Sequence, residues 1–217
     1  MNNAIIIMAK VPEAGKVKTR LLPRLTPEQS AQFAECLLRD TIRKAAGKQN
    51  KLIIAYSPAD GREFFDQFSL HETIYTPQKG SNLGERMFNA FDFAFRQKID
   101  SVVMIGTDSP TFPAEFIDRA FELLEASDAV LGESEDGGYY LIGLNKLNGE
   151  IFKNVEWSSP QTFQQTARKL KDLGLKLSLL PVWFDVDTPE DFERLKTELR
   201  ENPSIAENTA RWIANNV

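Results

Sequence analysis

An uninterrupted apolar segment, Val102–Ile105, restricts the fold more than any other part of the sequence. A run of β-branched and apolar residues without alternation is typical of a strand that is buried on both faces. Gly106 and Pro110 interrupt the pattern, so Asp108 is expected at the carboxyl end of this strand. Ligands bind at that end of the strands in open α/β sheets.

Asp108 lies between two small hydroxyl residues, Thr107 and Ser109. A carboxylate in this setting suits a divalent metal held against a phosphate. The alternative is that Asp108 caps a helix that begins near Pro113, because Asp is a favoured N-cap residue. The segment alone favours the metal site over the cap.

A second acidic segment follows another predicted strand, Leu177–Val182. The pair Thr188–Pro189 predicts the start of a helix, with Thr as N-cap and Pro at the first helical position. Asp185 and Asp187 alternate on an extended segment, so they are expected to point the same way. One of them can converge with Asp108 on a Mg²⁺ or Mn²⁺ ion, since magnesium needs only one or two protein carboxylates. Alternatively, Asp187 stabilises the helix N-terminus through the helix dipole.

Apolar runs alternate with segments of helical periodicity along the chain. Strands are predicted at Ala4–Ala9, Lys51–Tyr56, Ile74–Tyr75 and Ala129–Leu131, and helices at Thr26–Gly47, Arg62–Phe68, Leu83–Phe95 and Pro113–Leu124. This order implies β-α-β crossovers, and therefore an α/β fold with a doubly wound, mostly parallel sheet and helices on both faces. Residues 1–217 are expected to form one domain. Tyr139–Leu144 follows its predecessor too closely for a crossover helix, so it is predicted to be antiparallel, near the active site, or part of a subsidiary sheet.

Composition excludes several classes of protein. No run of about 18 apolar residues occurs, so no membrane-spanning helix is expected. One cysteine and one histidine, His71, exclude a disulfide framework, a zinc cluster and Ser-His-Asp catalysis. His71 is expected in a solvated loop. The low cysteine content and the lack of a signal-like leader favour the cytoplasm.

Charge is distributed unevenly along the chain. Residues 1–62 contain eleven Lys or Arg and five Asp or Glu, although the net charge of the chain is −5. This asymmetry argues against a nucleic-acid groove across the whole surface. It suits a local basic loop that receives an anionic small molecule.

The basic loop is Val11–Pro23, between the first strand and the first helix. It matches neither the G-x-G-x-x-G nor the Walker pattern, so an NAD site or an ordinary ATPase is not indicated. Gly15 permits a sharp turn, Lys16 and Lys18 supply point charges, and Arg20 offers a bidentate fork. The loop is either a phosphate clamp or a solvated basic surface. The two acidic segments at other strand ends favour the clamp.

Five motifs in order carry a resemblance to a known family. They are Pro12…Gly15…Lys18-Thr19-Arg20-Leu21…Pro23, Leu83–Met87, Gly106–Pro110, Asp136–Leu141 and Asp185–Asp191. They span nearly the whole chain and resemble the bacterial GT-A-superfamily transferases called radical-SAM/selenodomain-associated transferase 1. The wider superfamily of nucleotide-diphospho-sugar transferases includes metal-dependent glycosyltransferases and nucleotidyltransferases.

The resemblance implies a role for each matching motif. Asp108 would bind Mg²⁺ or Mn²⁺, with Asp187 as its distal partner, and both would be catalytic. Lys18 and Arg20 would contact the donor phosphates. The residues expected to bind the nucleotide and its phosphates are Gly15, Lys18, Arg20, Gln78, Gly80, Leu83, Gly84 and Thr107.

The resemblance also implies an acceptor side. Asp136, Gly137 and Gly138 would line the pocket opposite the metal, and Asp136 would be a third catalytic residue that orients an acceptor hydroxyl or takes its proton. An equally good interpretation of Asp136 is a turn-forming residue before two glycines. Trp157 and Ser158 would lie on the acceptor side, although a tryptophan in such a position is more often packing.

Three functions remain open at this point. The first is glycosyl transfer from a nucleotide-sugar to a small acceptor. The second is nucleotidyl transfer from an NTP with release of pyrophosphate, which a basic loop after the first strand suits. The third is a nucleotide-binding regulatory domain without turnover. No nucleic-acid partner is expected, and the base, sugar, acceptor and oligomeric state stay undetermined.

Overall fold

The computed structural model describes residues 2–46, 50–68 and 72–217. Within these ranges the strands are β1 (Asn3–Lys10), β2 (Lys51–Ser57), β3 (Ile74–Pro77), β4 (Ser101–Ile105), β5 (Ala129–Ser134), β6 (Tyr139–Leu144) and β7 (Leu177–Trp183). The helices are α1 (Pro27–Ala46), α2 (Arg62–Asp66), α3 (Leu83–Arg96), α4 (Glu115–Leu124), α5 (Thr162–Asp172), α6 (Pro189–Glu201) and α7 (Glu207–Asn216). Short 3₁₀ turns lie at Thr19–Leu21, Gly149–Phe152 and Pro203–Ala206.

The strands form one sheet in the order β3-β2-β1-β4-β6-β5-β7. The pairs β1–β2, β1–β4, β2–β3 and β5–β7 are parallel, whereas β6 is antiparallel to both β4 and β5. The predicted doubly wound, mostly parallel sheet is therefore confirmed. The antiparallel strand is not in a subsidiary sheet, because it is hydrogen-bonded between two strands of the main one. Since β6 runs the opposite way, it begins at the edge where β1 and β4 end.

Helices cover both faces of the sheet because its central strands are apolar on both sides. In β1, Ile5 and Ile7 pack into one buried cluster with α1, α2 and α4, whereas Ile6 packs into a second cluster with α3 and α5. All five residues of β4 are buried. This two-sided burial is the reason that Val102–Ile105 shows no polar alternation.

A third cluster lies beside the sheet and joins α1, α6 and α7. The Phe33 ring lies 5.1 Å from that of Phe192 and 5.5 Å from that of Trp212, centre to centre. Asp40 in α1 is buried and accepts hydrogen bonds from Asn208 and Thr209 in the first turn of α7. The C-terminal helix is thus attached to α1 by both apolar and polar contacts.

The helix signals in the sequence differ in accuracy. The predicted helix start at Thr26 is confirmed by a capping box, in which Thr26 Oγ1 accepts from the amide of Gln29 at 3.2 Å and the Thr26 amide donates to Gln29 Oε1 at 2.9 Å. The predicted start of α4 at Pro113 is wrong by two residues, because Pro113 accepts a turn hydrogen bond from Phe116 and the helix begins at Glu115. The predictions for Gly47 and His71 lie outside the described residues. Among the described residues, no helix combines the length and apolar character needed to cross a membrane.

Candidate active site

A cleft of 480 Å³ opens at the carboxyl edge of the sheet, where the β1 and β4 connections diverge. This is the topological switch point, at which doubly wound folds bind their ligands. Its charged lining comes from β1 and the segments that follow β1, β4 and β7, and its apolar lining comes from β1, β4, β6, α1 and α3. The residues that line it include Met8, Lys10, Lys16, Lys18, Arg20, Leu37, Leu38, Gln78, Leu83, Met87, Thr107, Asp108, Tyr139 and Asp187.

Two aspartates from separate strand ends meet at one cation. The Lys18 ammonium group donates to Asp187 Oδ1 at 2.9 Å, to the carbonyl oxygen of Val186 at 2.9 Å, and to Asp108 Oδ1. Asp108 therefore lies next to one member of the later acidic pair, Asp187, whereas the convergence of the two carboxylates on a metal ion stays a prediction. The group between the two carboxylates is the side chain that the sequence assigned to the donor phosphates.

Neither carboxylate is used as a helix cap. The residue before α4 is Ala114, which makes no side-chain cap bond, so Asp108 does not cap that helix. At α6 the cap is Thr188, which forms a capping box with Asp191. The carboxylates of Asp108 and Asp187 are instead paired with the Lys18 ammonium group.

The number of acidic ligands at the site is small. Among residues 2–46, 50–68 and 72–217, no group of three or more His, Cys, Asp or Glu side chains is arranged to hold a metal ion. The carboxylates that meet in the cleft are those of Asp108 and Asp187. Two carboxylates are typical of a magnesium site that is completed by water and substrate phosphates. An all-protein metal cage is thus not present in the described part of the chain.

The basic loop faces the cleft with several cations. Lys10 Nζ donates to the carbonyl oxygen of Lys16 at 2.7 Å, which ties the loop to the end of β1. The Arg20 side chain is 69% exposed, and its Nη1 atom lies 3.6 Å from Asp187 Oδ2. An anion that enters the cleft therefore meets exposed guanidinium and ammonium groups at one end.

The opposite end of the cleft is more apolar. Gln78 donates from Nε2 to the carbonyl oxygens of Ala9 at 3.0 Å and Ala55 at 2.9 Å, so only its Oε1 acceptor remains for a ligand. Leu83, at the start of α3, is 40% exposed. An exposed leucine inside a cleft offers an apolar contact surface to a ligand.

Eight predicted site residues do not line the cleft. They are Gly15, Gly80, Gly84, Asp136, Gly137, Gly138, Trp157 and Ser158. Asp136 Oδ1 accepts from the amide of Gly138 at 2.9 Å, which matches the turn-forming interpretation of this aspartate. Gly137 has φ +86°, and a Cβ there would lie 2.2 Å from the carbonyl oxygen of Pro160. Gly137 therefore serves a tight turn packed against a neighbouring loop.

Trp157 takes part in packing behind the cleft. Its ring lies 6.4 Å from that of Phe152, which belongs to the second core cluster, and Trp157 packs against that cluster. A Cβ at Gly84 would come within 2.4 Å of the Trp157 indole nitrogen. Gly84 thus lets the first turn of α3 approach the indole closely, and α3 in turn carries Leu83 into the cleft.

Replacing Gly84 with alanine is expected to lower the free energy of unfolding by about 1–3 kcal/mol, the usual cost of overpacking a tight site. Gly106→Ala is the matched control, since no atom lies within 4 Å of a Cβ at that position. Urea denaturation of the two variants measures the difference. Equal stabilities would show that the Trp157 ring moves aside at no cost.

Two further groups support the site: Asp185, which the sequence offers as a candidate partner of Asp108, and Lys44, which was not identified from the sequence. Asp185 accepts from the buried hydroxyl of Ser109, and burial together with the neighbouring Asp108 raises the pKa of Asp185 to about 6. Lys44 in α1 donates to the carbonyl oxygens of Pro110 at 2.9 Å and of Phe112, and burial lowers its pKa to about 7. Both fix the segment after Asp108, and Lys44 has no sequence signal beyond its residue type.

The sequence matches a known protein family. Residues 26–159 match the family described as "Uncharacterized protein conserved in bacteria (DUF2064)". The chain belongs to this family. The matched region runs from the α1 cap to the loop that contains Trp157, and includes Asp108. No curated protein matches the chain.

Solved structures share the fold over most of their length. A protein from Desulfovibrio desulfuricans G20, described as a proposed nucleotide-diphospho-sugar transferase, is 33% identical, with a TM-score of 0.92 over 99% of this chain and 95% of that one. CMP:2-keto-3-deoxy-manno-octonic acid synthetase complexed with CTP is 11% identical, with a TM-score of 0.61 over 93% and 99% of the two chains. Rv0371c from Mycobacterium tuberculosis H37Rv, in complex with manganese, is 13% identical, with a TM-score of 0.52 over 90% and 98%.

Proposed function

We propose that the chain is a divalent-metal-dependent transferase that moves a glycosyl group from a nucleotide-diphospho-sugar to a small acceptor. The observation that carries this proposal is the meeting of Asp108 and Asp187 at one cation position, beside a basic loop in the switch-point cleft. A strand-end carboxylate pair together with exposed cations suits an anionic donor that carries phosphates. The similarity to a proposed nucleotide-diphospho-sugar transferase supports the same class of donor.

The residues present fit a magnesium or manganese ion. Asp108 and Asp187 are hard oxygen donors, and with the Val186 carbonyl they already surround one positive charge, that of Lys18. Asp108 and Asp187 would hold the divalent ion, which would supply electrostatic stabilisation of the charge on the leaving group. A related fold that holds manganese agrees with this choice of ion.

The remaining chemistry consists of binding and orientation by side chains of the cleft. Arg20 and Lys16 attract the phosphates, and Arg20 can form two parallel hydrogen bonds to one phosphate. Leu83 and Met87 provide an apolar wall for the base or sugar. A phosphoryl-type transfer would require little covalent participation by the protein, which agrees with the lack of cysteine and histidine among the described residues that line the cleft.

A second candidate is nucleotidyl transfer from an NTP with release of pyrophosphate. Four cationic side chains line one cleft, namely Lys10, Lys16, Lys18 and Arg20, and such a concentration suits a triphosphate. The shared fold with a synthetase that binds CTP supports this candidate. Both candidates place the donor phosphates on the same loop and differ in which bond is broken.

Thermal unfolding in the presence of Mn²⁺ separates the candidates. A ligand at about 100 times its dissociation constant adds about 2.7 kcal/mol of stability, which produces a clear rise in Tm. Stabilisation by one nucleotide-sugar and not by the free NTPs supports glycosyl transfer, whereas the reverse pattern supports nucleotidyl transfer. Binding of a nucleotide without turnover of any donor would support the third function, a nucleotide-binding regulatory domain. No response to any nucleotide would contradict the proposal.

Replacing Arg20 with alanine is expected to weaken binding of the donor by ~1.5–3 kcal/mol, the value of a charge-assisted hydrogen bond. The control is Arg24→Ala, because Arg24 pairs with Glu193 and does not line the cleft. Isothermal titration with the nucleotide identified above measures both affinities. An unchanged affinity in the Arg20 variant would make the loop a solvated surface instead of a phosphate clamp.

A further inference from the structure

Lys18 is the most enclosed charged group of the candidate site. Its side chain is 7% exposed, whereas those of its partners Asp108 and Asp187 are 50% and 36% exposed. The ammonium group therefore lies behind the carboxylates, which themselves face the cleft. Its three hydrogen-bond donors are matched by three oxygen acceptors, the third being the Val186 carbonyl.

The backbone on both sides holds this arrangement. Lys18 has φ 46° and ψ 39°, a left-handed conformation that a non-glycine residue adopts only when its surroundings require it. Its carbonyl oxygen accepts from the amide of Leu21 at 2.9 Å, which anchors the following 3₁₀ turn. Across the site, the amide of Val186 donates to the carbonyl oxygen of Asp108 at 2.8 Å and joins the two acidic segments. The ammonium is thus aimed at the carboxylates by the fold.

The charges of these side chains nearly cancel in the absence of a ligand. Asp108 and Asp187 contribute two negative charges, Lys18 contributes one positive charge between them, and Arg20 lies 3.6 Å from the far oxygen of Asp187. A free divalent ion would meet little net negative charge and would be repelled by the ammonium at short range. Without Lys18, the two carboxylates would repel each other and attract a divalent ion strongly.

We propose that Lys18 is a built-in counter-ion that competes with the divalent ion for the Asp108–Asp187 pair, so that the ion binds well only together with the donor phosphates. This inference rests on the proposed metal-dependent function and adds the order of binding at the same site. The phosphates give the ammonium a new anionic partner, and its flexible four-carbon stem allows it to move to them. Lys18 is then both the counter-ion of the ligand-free site and the phosphate contact of the loaded one.

The test is the affinity of nucleotide-free protein for Mn²⁺, measured by the EPR signal of the unbound ion. Lys18→Met is expected to bind Mn²⁺ at least tenfold more tightly than the parent protein, because the competing charge is removed and the stem length is kept. Adding Asp108→Asn to this variant is expected to abolish the gain. Lys51→Met is the matched control, since Lys51 is an exposed lysine at the start of β2, outside the cleft. An unchanged or lower affinity in Lys18→Met would overturn the inference.

A second measurement keeps the test valid if Lys18→Met fails to fold. In the parent protein, Mn²⁺ and inorganic pyrophosphate are expected to tighten each other's binding at least tenfold, with Asp108→Asn as the control for complexes formed in solution. Independent binding of the two probes would contradict the inference. The metal titration does not require a donor, so a protein that binds no nucleotide would refute the proposed function while the Mn²⁺ comparison still decides the role of Lys18.

Discussion

Replacing Asp108 with asparagine is expected to lower turnover of the donor by at least about 100-fold. The substitution keeps the size of the side chain and removes the charge that a metal ligand needs, which costs several kcal/mol of transition-state stabilisation. The loss should appear in kcat, and the stabilisation by Mn²⁺ plus nucleotide should disappear with it. Steady-state kinetics with the donor found by thermal unfolding, combined with the Tm shift, measures both effects.

Asp136→Asn is the matched control for this substitution. An asparagine can still accept the hydrogen bond from the Gly138 amide, so the turn is retained. If Asp136 is only a turn residue, this variant keeps its activity. A large loss of activity with unchanged stability would instead support the acceptor-side role that the family resemblance implies. Normal activity and normal metal dependence in Asp108→Asn would show that the metal assignment is wrong.

Replacing Asp40 with alanine is expected to lower the free energy of unfolding by about 3 kcal/mol or more. Asp40 is 3% exposed and accepts from the Asn208 amide at 3.0 Å, the Asn208 side chain at 2.7 Å, the Thr209 amide at 2.8 Å and the Thr209 hydroxyl at 2.7 Å. Its loss leaves several buried donors of α7 without partners, and each costs about 1–3 kcal/mol. The negative charge at the helix N-terminus is lost as well.

Asp172→Ala is the control for the Asp40 variant. Asp172 is an exposed residue whose pair with Arg168 spans 3.8 Å, so its removal should change stability by less than about 0.5 kcal/mol. Urea denaturation followed by tryptophan fluorescence is suitable, because Trp212 lies in α7 itself. A loss below 1 kcal/mol in Asp40→Ala would mean that water replaces the carboxylate. Since α1 also lines the cleft through Leu37 and Leu38, weaker ligand binding is expected to accompany the loss.

The order of the elements could be predicted because it depends on local patterns. Two-sided burial makes β4 a continuous apolar run, and the Thr26 and Thr188 caps mark helix starts through contacts within four residues. Strand ends then place Asp108 and Asp187 at one edge. The position of β6 inside the main sheet could not be predicted, because strand pairing depends on contacts between residues far apart in sequence.

The roles of individual site residues also depend partly on local sequence and partly on tertiary contacts. The sequence by itself determined which groups are available at the carboxyl edge: two aspartates, a basic loop and an apolar helix start. Only the tertiary structure decided that the Lys18 ammonium lies between the two aspartates, that Asp136 closes a turn, and that Trp157 packs behind Gly84. The Asp136 turn is local and is one of two interpretations that the sequence permits, whereas the Lys18 and Trp157 contacts depend on side-chain directions across 73 to 169 positions of chain separation. Local periodicity carries no information at that range, because charge pairing and close packing are settled only when the segments meet.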